Sequence, residues 1–409
     1  MRRREFLKWS FVAAGAGRMA GPSFGAAPGT PGDIIGDIAR ETVFRGRDGG
    51  VTWFSTRACA VPSSGGTRVL MLMAQITGSD YFGPVHETET ADGGKTWSEP
   101  RPVPGLGRRP ADNGTEEGSC DFVPEYHAPT KTVLAMGHNV FYRGGKFFRD
   151  QPPRQAVYAV RDAAGQWSGP RRFRWDDPRG GYIYTSNCAQ RVTMPDGDVI
   201  VPLSFGPNEK ARSVATVRCS FDGRELAVRA MGTVLNNPVG RGLLEPSVAR
   251  VGGRFFMTLR AEDERGYVSA SDDGLTWAPQ IAWAWDDGEP ITMSTTQQRW
   301  LTHSEQLYLV YTRKTEENQK VMRWRSPLFV SLVDRERLRL IRATERVVLP
   351  LVGDPINDPQ GVAHLGNFHV EPISPDESWV TVGEVIPKTW RGDVLLARIR
   401  WARPNRMAE

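Results

Sequence analysis

Leu244–Trp277, LEPSVARVGGRFFMTLRAEDERGYVSASDDGLTW, is the stretch whose reading decides the fold. Two runs, SVARV and RFFMTLR, flank Gly252-Gly253, a dipeptide suited to a two-residue primed turn. Counting back from Val251 opposite Arg254, Glu245 comes to lie opposite Arg260 at the open end of the hairpin. Directly opposed side chains have Cβ atoms about 4.5–5.5 Å apart, so a carboxylate and a guanidinium meet where two strands leave a sheet. A third strand follows. It ends in Asp272-Asp273-Gly274-Leu275-Thr276-Trp277, a tight polar turn closed by a tryptophan.

The same turn recurs in Thr90-Ala91-Asp92-Gly93-Gly94-Lys95-Thr96-Trp97. Asp accepts backbone N–H bonds, Gly supplies the special dihedral and Trp packs beneath. Degraded copies stand at Asp162–Trp167 and at Phe221-Asp222-Gly223, so the Asp positions 92, 162, 222 and 272 mark one repeating unit with variable loops. Six such units fit the chain, over about 57–105, 120–172, 184–235, 243–285, 293–342 and 362–402. With 43 Gly, 30 Pro and 13 Trp in 409 residues, short strands joined by turns are favoured over helices. The expected fold is all-β, a six-bladed β-propeller over 41–405. A strand near Val43 closes its last blade and protects the edges. A β-sandwich, the competing architecture, has no reason for such a period.

The formal charge of +5 is concentrated at the N-terminus, where Arg2, Arg3, Arg4, Lys8 and Arg18 face only Glu5. No basic patch with interleaved aromatics remains, which sets nucleic acid aside. Arg3-Arg4-Glu5-Phe6-Leu7-Lys8 is a twin-arginine export signal, followed by a weakly apolar run, Trp9–Gly17. That run is far below the ~20 residues needed to span a bilayer. The expectation is a signal peptide over 1–27, cut near Ala27, then a leader over 28–40. Export through the twin-arginine machinery would end in the periplasm or outside the cell, with no membrane span. Cys59, Cys120, Cys188 and Cys219 are widely spaced without a CxxC and read as buried thiols. The six histidines show no H-x-H or H-E-x-x-H spacing, so no metal motif is read; no nucleotide or cofactor fingerprint is read either.

The two D-x-G-x-T-W turns together with the Glu/Arg hairpin resemble the sialidase superfamily, the Asp-box (BNR-repeat) propellers of glycoside hydrolase family 33 and its relatives. The resemblance implies an exo-α-sialidase-like enzyme with a glycan substrate, whose carboxylate three arginines clamp. Glu245 and Arg260 match the family's hairpin Glu and second arginine. The first arginine resembles Arg57 in RACAVP, with Pro62 five residues on instead of two. The third resembles Arg325, with Arg323 and Arg313 as rivals. The acid/base position resembles Asp80, between Arg57 and the first Asp box, where Tyr81, Phe82 and Pro84 are placed to raise its pKa by partial burial.

The family's tyrosine nucleophile has no counterpart, since no tyrosine follows Trp324. The corresponding stretch reads VAHLGNFHVE, and His364 or His369 is the candidate nucleophile or base, with Glu371 as a second carboxylate. Tyr182 and Tyr184 are the other sources of a phenol. The segment Asn113–Asp121 reads as a solvated loop, the alternative being that it presents Glu116 or Glu117 to the channel mouth; His86, His127 and His138 read as structural. Three functions remain. One is an exported hydrolase releasing a terminal acidic sugar. The second is a propeller hydrolase or lyase on a uronic acid or rhamnose-type linkage handled by histidine. The third is a glycan-binding propeller without turnover.

Overall fold

The computed structural model describes residues 32–408, so the export motif and the cleavage region near Ala27 lie outside the described residues. The long strands, in chain order, are β1 (Ile35–Phe44), β2 (Trp53–Ser63), β3 (Gly66–Ile76), β4 (Phe82–Thr90), β5 (Glu116–His127), β6 (Thr132–Arg143), β7 (Arg154–Arg161), β8 (Ile183–Thr185), β9 (Val199–Asn208), β10 (Ala211–Phe221) and β11 (Leu226–Met231). They continue as β12 (Leu244–Val251), β13 (Arg254–Arg260), β14 (Gly266–Ser271), β15 (Arg299–Thr302), β16 (Leu307–Tyr311), β17 (Leu328–Asp334), β18 (Arg346–Leu349), β19 (Phe368–Ser374), β20 (Glu377–Gly383) and β21 (Val394–Trp401). Among the described residues helix is confined to single 3-10 turns. The molecule is an all-β propeller.

The innermost strands meet round a central axis: β2 lies against β5 and β19, β12 against β9 and β15, and β15 against β19. Apolar cores sit between neighbouring sheets, as where Leu301, Val310 and Leu328 pack on Phe368, Val380 and Ile399. N- and C-terminal segments share one sheet, ordered β1-β21-β20-β19, which ties the ring shut. This closing strand is longer than the sequence reading had it, running from Ile35 through the expected leader.

The expectation of six separate blades is corrected. Four sheets, of four or five strands each, stand apart as blades; the rest of the ring is one twelve-stranded sheet. The cause is local: β7 and β8 run parallel and pair at Arg154–Ile183 and Gln155–Tyr184, which fuses what the sequence divides at about residue 172. The segment Asn113–Asp121 is also corrected, because from Glu116 it is strand β5 and not a loop. Glu117 is buried there, bonded by Asn139 at 2.9 Å and paired with Arg109 at 2.8 Å.

The Asp turns lie after the third strand of their sheets. Asp92 accepts from the backbone N–H and the hydroxyl of Thr96 at 3.0 and 2.7 Å. In the second copy Asp273, not Asp272, does this work, accepting from Leu275 and Thr276. Gly94 holds φ +82°, and a Cβ there would come within 3.0 Å of Trp379. The closing tryptophans reach back to the preceding sheet. Trp97 packs on Trp379 with ring centroids 6.0 Å apart, Trp167 donates to Glu87 at 2.8 Å, and Trp277 donates to Thr216 at 2.8 Å. Each turn therefore staples one sheet to the previous one.

Candidate active site

Three innermost strands carry the same defect at the same level. In β2 one extra residue is inserted between the pairs Phe54–Ala74 and Arg57–Leu72. In β5 it falls between Cys120–His138 and Val123–Met136, and in β12 between Leu244–Arg260 and Ser247–Thr258. The residue following the first pair has positive φ each time: Ser55 at 51°, Asp121 at 55° and Glu245 at 42°. A bulge re-aims side chains that regular pleating would send elsewhere. Backbone in the left-handed region costs of order 1–3 kcal/mol per non-glycine residue and clusters at functional sites. Asp80, Cys188, Arg323 and Trp324, all near this end of the channel, also hold φ between 47° and 59°.

The bulge in β12 decides how Glu245 meets its partner. The hairpin turn is as expected, with Gly252 and Gly253 at φ 61° and 85°. The register follows the expected count as far as Ser247–Thr258; beyond it Leu244, not Glu245, pairs with Arg260. Glu245 itself, at φ 42°, leaves the extended conformation and carries the inserted residue off the ladder. The Glu245 carboxylate still accepts from Arg260 Nη1 at 2.6 Å, and Arg260 Nε donates to Thr295 at 3.2 Å.

Arg325 and Arg323 share this neighbourhood. Burial, joined by the charges of Arg323 and Arg260, lowers Arg325 to about 10. Burial with Arg260 and Arg241 lowers Arg323 as well. Burial is the largest single influence on Glu245 and pushes it up, but Arg260, Arg325 and Arg241 together outweigh it and hold the carboxyl below its ordinary value. Glu245 is thus an anion inside an arginine cluster. Arg313 stands apart, locked to Glu345 by bonds of 2.8 and 2.6 Å.

Arg57 is buried completely. Its guanidinium donates to the Phe368 carbonyl and to Cys188 Sγ at 3.3 Å, and lies 3.8 Å from Asp121. The expected partial burial of Asp80 by Tyr81, Phe82 and Pro84 is corrected: Asp80 sits on an exposed loop whose backbone carbonyl accepts from Tyr142 at 3.2 Å, and its charge reaches Arg325. His364 is buried beside the cluster: burial, then Arg325 and Arg323, lower it from 6.5 to about 4, so its ring is neutral at pH 7. Its Nε2 has no partner among the described residues. Tyr184 donates to the Phe173 carbonyl at 2.6 Å and Tyr182 to the Gln151 carbonyl, so both phenols are engaged.

His369 is placed elsewhere. Together with Glu371, Glu125 and Arg191 it lines a cavity of about 650 Å³ whose rim includes Gly252 and Gly253, the far end of the hairpin from Glu245. The cavity opens at the turn end of β12, and His369 stands next in chain to Phe368, whose carbonyl accepts from Arg57. His369 Nε2 lies 3.9 Å from Glu371, which burial raises to about 8. The residue the sequence reading missed is Asp121. It accepts from Ser55 at 2.8 Å and stands at the same bulge position as Glu245. Only a comparison of the units at that position would have found it.

The fold has solved counterparts. A protein of unknown function from Dyadobacter fermentans DSM 18053 matches 90% of this chain and 100% of its own, with 13% identity and a TM-score of 0.63. Trypanosoma rangeli sialidase matches over 91% of this chain with 14% identity and a TM-score of 0.62, and the match spans 60% of that longer chain. The Hadza microbial sialidase Hz136 matches over 88% of this chain and 68% of its own, at 12% identity and a TM-score of 0.59. These likenesses establish a sialidase-like propeller fold. No family model and no curated protein matches the sequence.

Proposed function

We propose that this chain is an exported glycoside hydrolase of the Asp-box propeller type, acting on a glycan that ends in an acidic sugar. On this reading the ring has six blades, the twelve-stranded sheet counting as two joined through β7 and β8. The observation that carries the proposal is the Glu245–Arg260 pair with Arg325 and Arg323 grouped about it at one channel mouth. Arginine forks bind a carboxylate in bidentate fashion and stay charged when partly desolvated.

The roles follow from charge state. Glu245 is committed to Arg260 by its 2.6 Å bond, so it anchors the cluster and leaves the proton transfer to an unengaged group. His364, neutral with a free Nε2, is the proton acceptor or nucleophile in the place of the family's tyrosine. Asp80 stands on the exposed side as the proton donor to the leaving oxygen. His364 favours a second reading, a hydrolase or lyase on a uronic acid or rhamnose-type linkage, because a neutral imidazole can take a sugar-ring proton as well as activate water.

A panel of fluorogenic sialosides, uronides and rhamnosides tests this. The expected result is turnover of at least one acidic glycoside, abolished in Asp80→Asn and in His364→Ala while both variants remain folded. Activity on none of them, with a sugar acid still bound, would leave a lectin-like propeller instead.

A further inference from the structure

We propose that Cys120, Asp121 and His138 form a site for a divalent transition metal, zinc by its donor set, beside the arginine cluster. Cys120 in β5 and His138 in β6 are direct cross-strand partners, and the bulge that follows Cys120 turns Asp121 into the same space. One ligand atom from each of the three lies within 4.8 Å of the other two. Cys120 Sγ is 3.4 Å from His138 Nε2. Tetrahedral zinc, with Zn–S of about 2.3 Å and Zn–N of about 2.0–2.1 Å, requires a sulfur–nitrogen separation of roughly 3.5 Å. The thiol and the imidazole are therefore already at metal-binding separation, and a carboxylate oxygen of Asp121 lies within 4.8 Å of both.

The donor chemistry agrees. A thiolate, a neutral imidazole and a carboxylate suit a borderline-soft ion, not magnesium or calcium, and their two negative charges offset its own. Cys120 and His138 are buried, while Asp121 is partly exposed on the open side of the cluster. Asp121 already has one oxygen oriented by the Ser55 hydroxyl, and Arg57 lies 3.8 Å from that same oxygen. A carboxylate held by a second residue is a common support for a metal ligand. Three protein donors leave one position of a tetrahedral ion for water or a ligand group. The other buried thiols make no comparable cluster among the described residues. The pattern escapes sequence motifs because Cys120 and His138 are joined by strand pairing across a hairpin, not by short spacing.

The full chain, stripped with chelator and titrated with cobalt(II), provides the test. The expected result is a thiolate-to-cobalt charge-transfer band that saturates at one equivalent. It should vanish in Cys120→Ser and His138→Gln, weaken at least tenfold in affinity in Asp121→Asn, and persist in Cys219→Ser. Circular dichroism checks that each variant folds. Should Cys120→Ser fail to fold, zinc protection of Cys120 from a thiol reagent, read by peptide mapping of the wild type, decides the point. No band and no protection, or a band that survives in a folded Cys120→Ser, overturns the site and leaves a plain thiol–imidazole contact.

Discussion

Glu245 and Arg260 are joined by a 2.6 Å bond although they are not cross-strand partners; Leu244 holds that place. The bulge lets the carboxylate leave the ladder and meet the guanidinium from the side. Removing one partner of a buried ion pair leaves the other charge uncompensated, at a cost of about 3–5 kcal/mol. Glu245→Ala should lose stability on that scale in urea unfolding, because Arg325 and Arg323 lose the same anion. Arg260→Ala combined with Glu245→Ala should cost less than the two single changes added. Strict additivity would show that the pair does not hold the cluster.

Arg325 tests the clamp itself. Arg325→Lys keeps the charge but removes the planar fork. With an acidic glycoside as substrate, a lost hydrogen bond to a charged group is worth about 1.5–3 kcal/mol. The expected fall in kcat/KM is roughly ten- to a hundredfold, with the fold unchanged by circular dichroism. Equal loss on a neutral glycoside would show that Arg325 does not read the carboxylate.

The hairpin, the Asp turns and the closing strand were legible because each is written locally, in Gly252-Gly253, in Asp92 to Trp97 and in the run at Glu41–Phe44. The register at Glu245 was legible only in part. The simple count from Val251 holds as far as Ser247–Thr258 and then misses the inserted residue. The destination of Arg57 was not legible at all, since its guanidinium is fixed by the carbonyl of Phe368, which only ring closure brings near. His369 and Glu371 stand two residues apart on one strand and so share a face. That periodicity pairs them with each other; it does not say which end of the channel they line.

Glu371 makes a prediction of opposite sign to an ordinary ion-paired carboxylate. Burial raises it from 4.5 to about 8, so the folded state holds a proton that the unfolded state has released. Its contribution is fully present below pH 4.5 and is lost as pH rises toward 8. Glu371→Gln keeps an oxygen for the Ala60 N–H, 2.9 Å away in the wild type. The variant should flatten the decline in stability between pH 5 and pH 8, measured as urea midpoints. A parallel decline in both proteins would place the responsible group elsewhere.

His364 gives the complementary window. Its pKa falls from 6.5 in the unfolded chain to about 4 in the folded one, so between these values the unfolded state binds more protons. Stability therefore rises with pH across this range and is lost as pH drops from 6.5 toward 4. His138 and His369 are lowered too, so the wild-type curve sums several groups and the single residue must be isolated by difference. His364→Asn retains a polar side chain beside Arg325 but cannot titrate. The difference in unfolding free energy between wild type and His364→Asn should change with pH by up to about 1.4 kcal/mol per unit inside the window and stay constant above it. If the proposed reaction uses the neutral ring, kcat/KM in the wild type should remain flat down to about pH 5 and fall only as His364 begins to protonate near 4. A fall centred at pH 6.5 would mean that His364 keeps its ordinary proton affinity, and the arginine cluster would then not surround it.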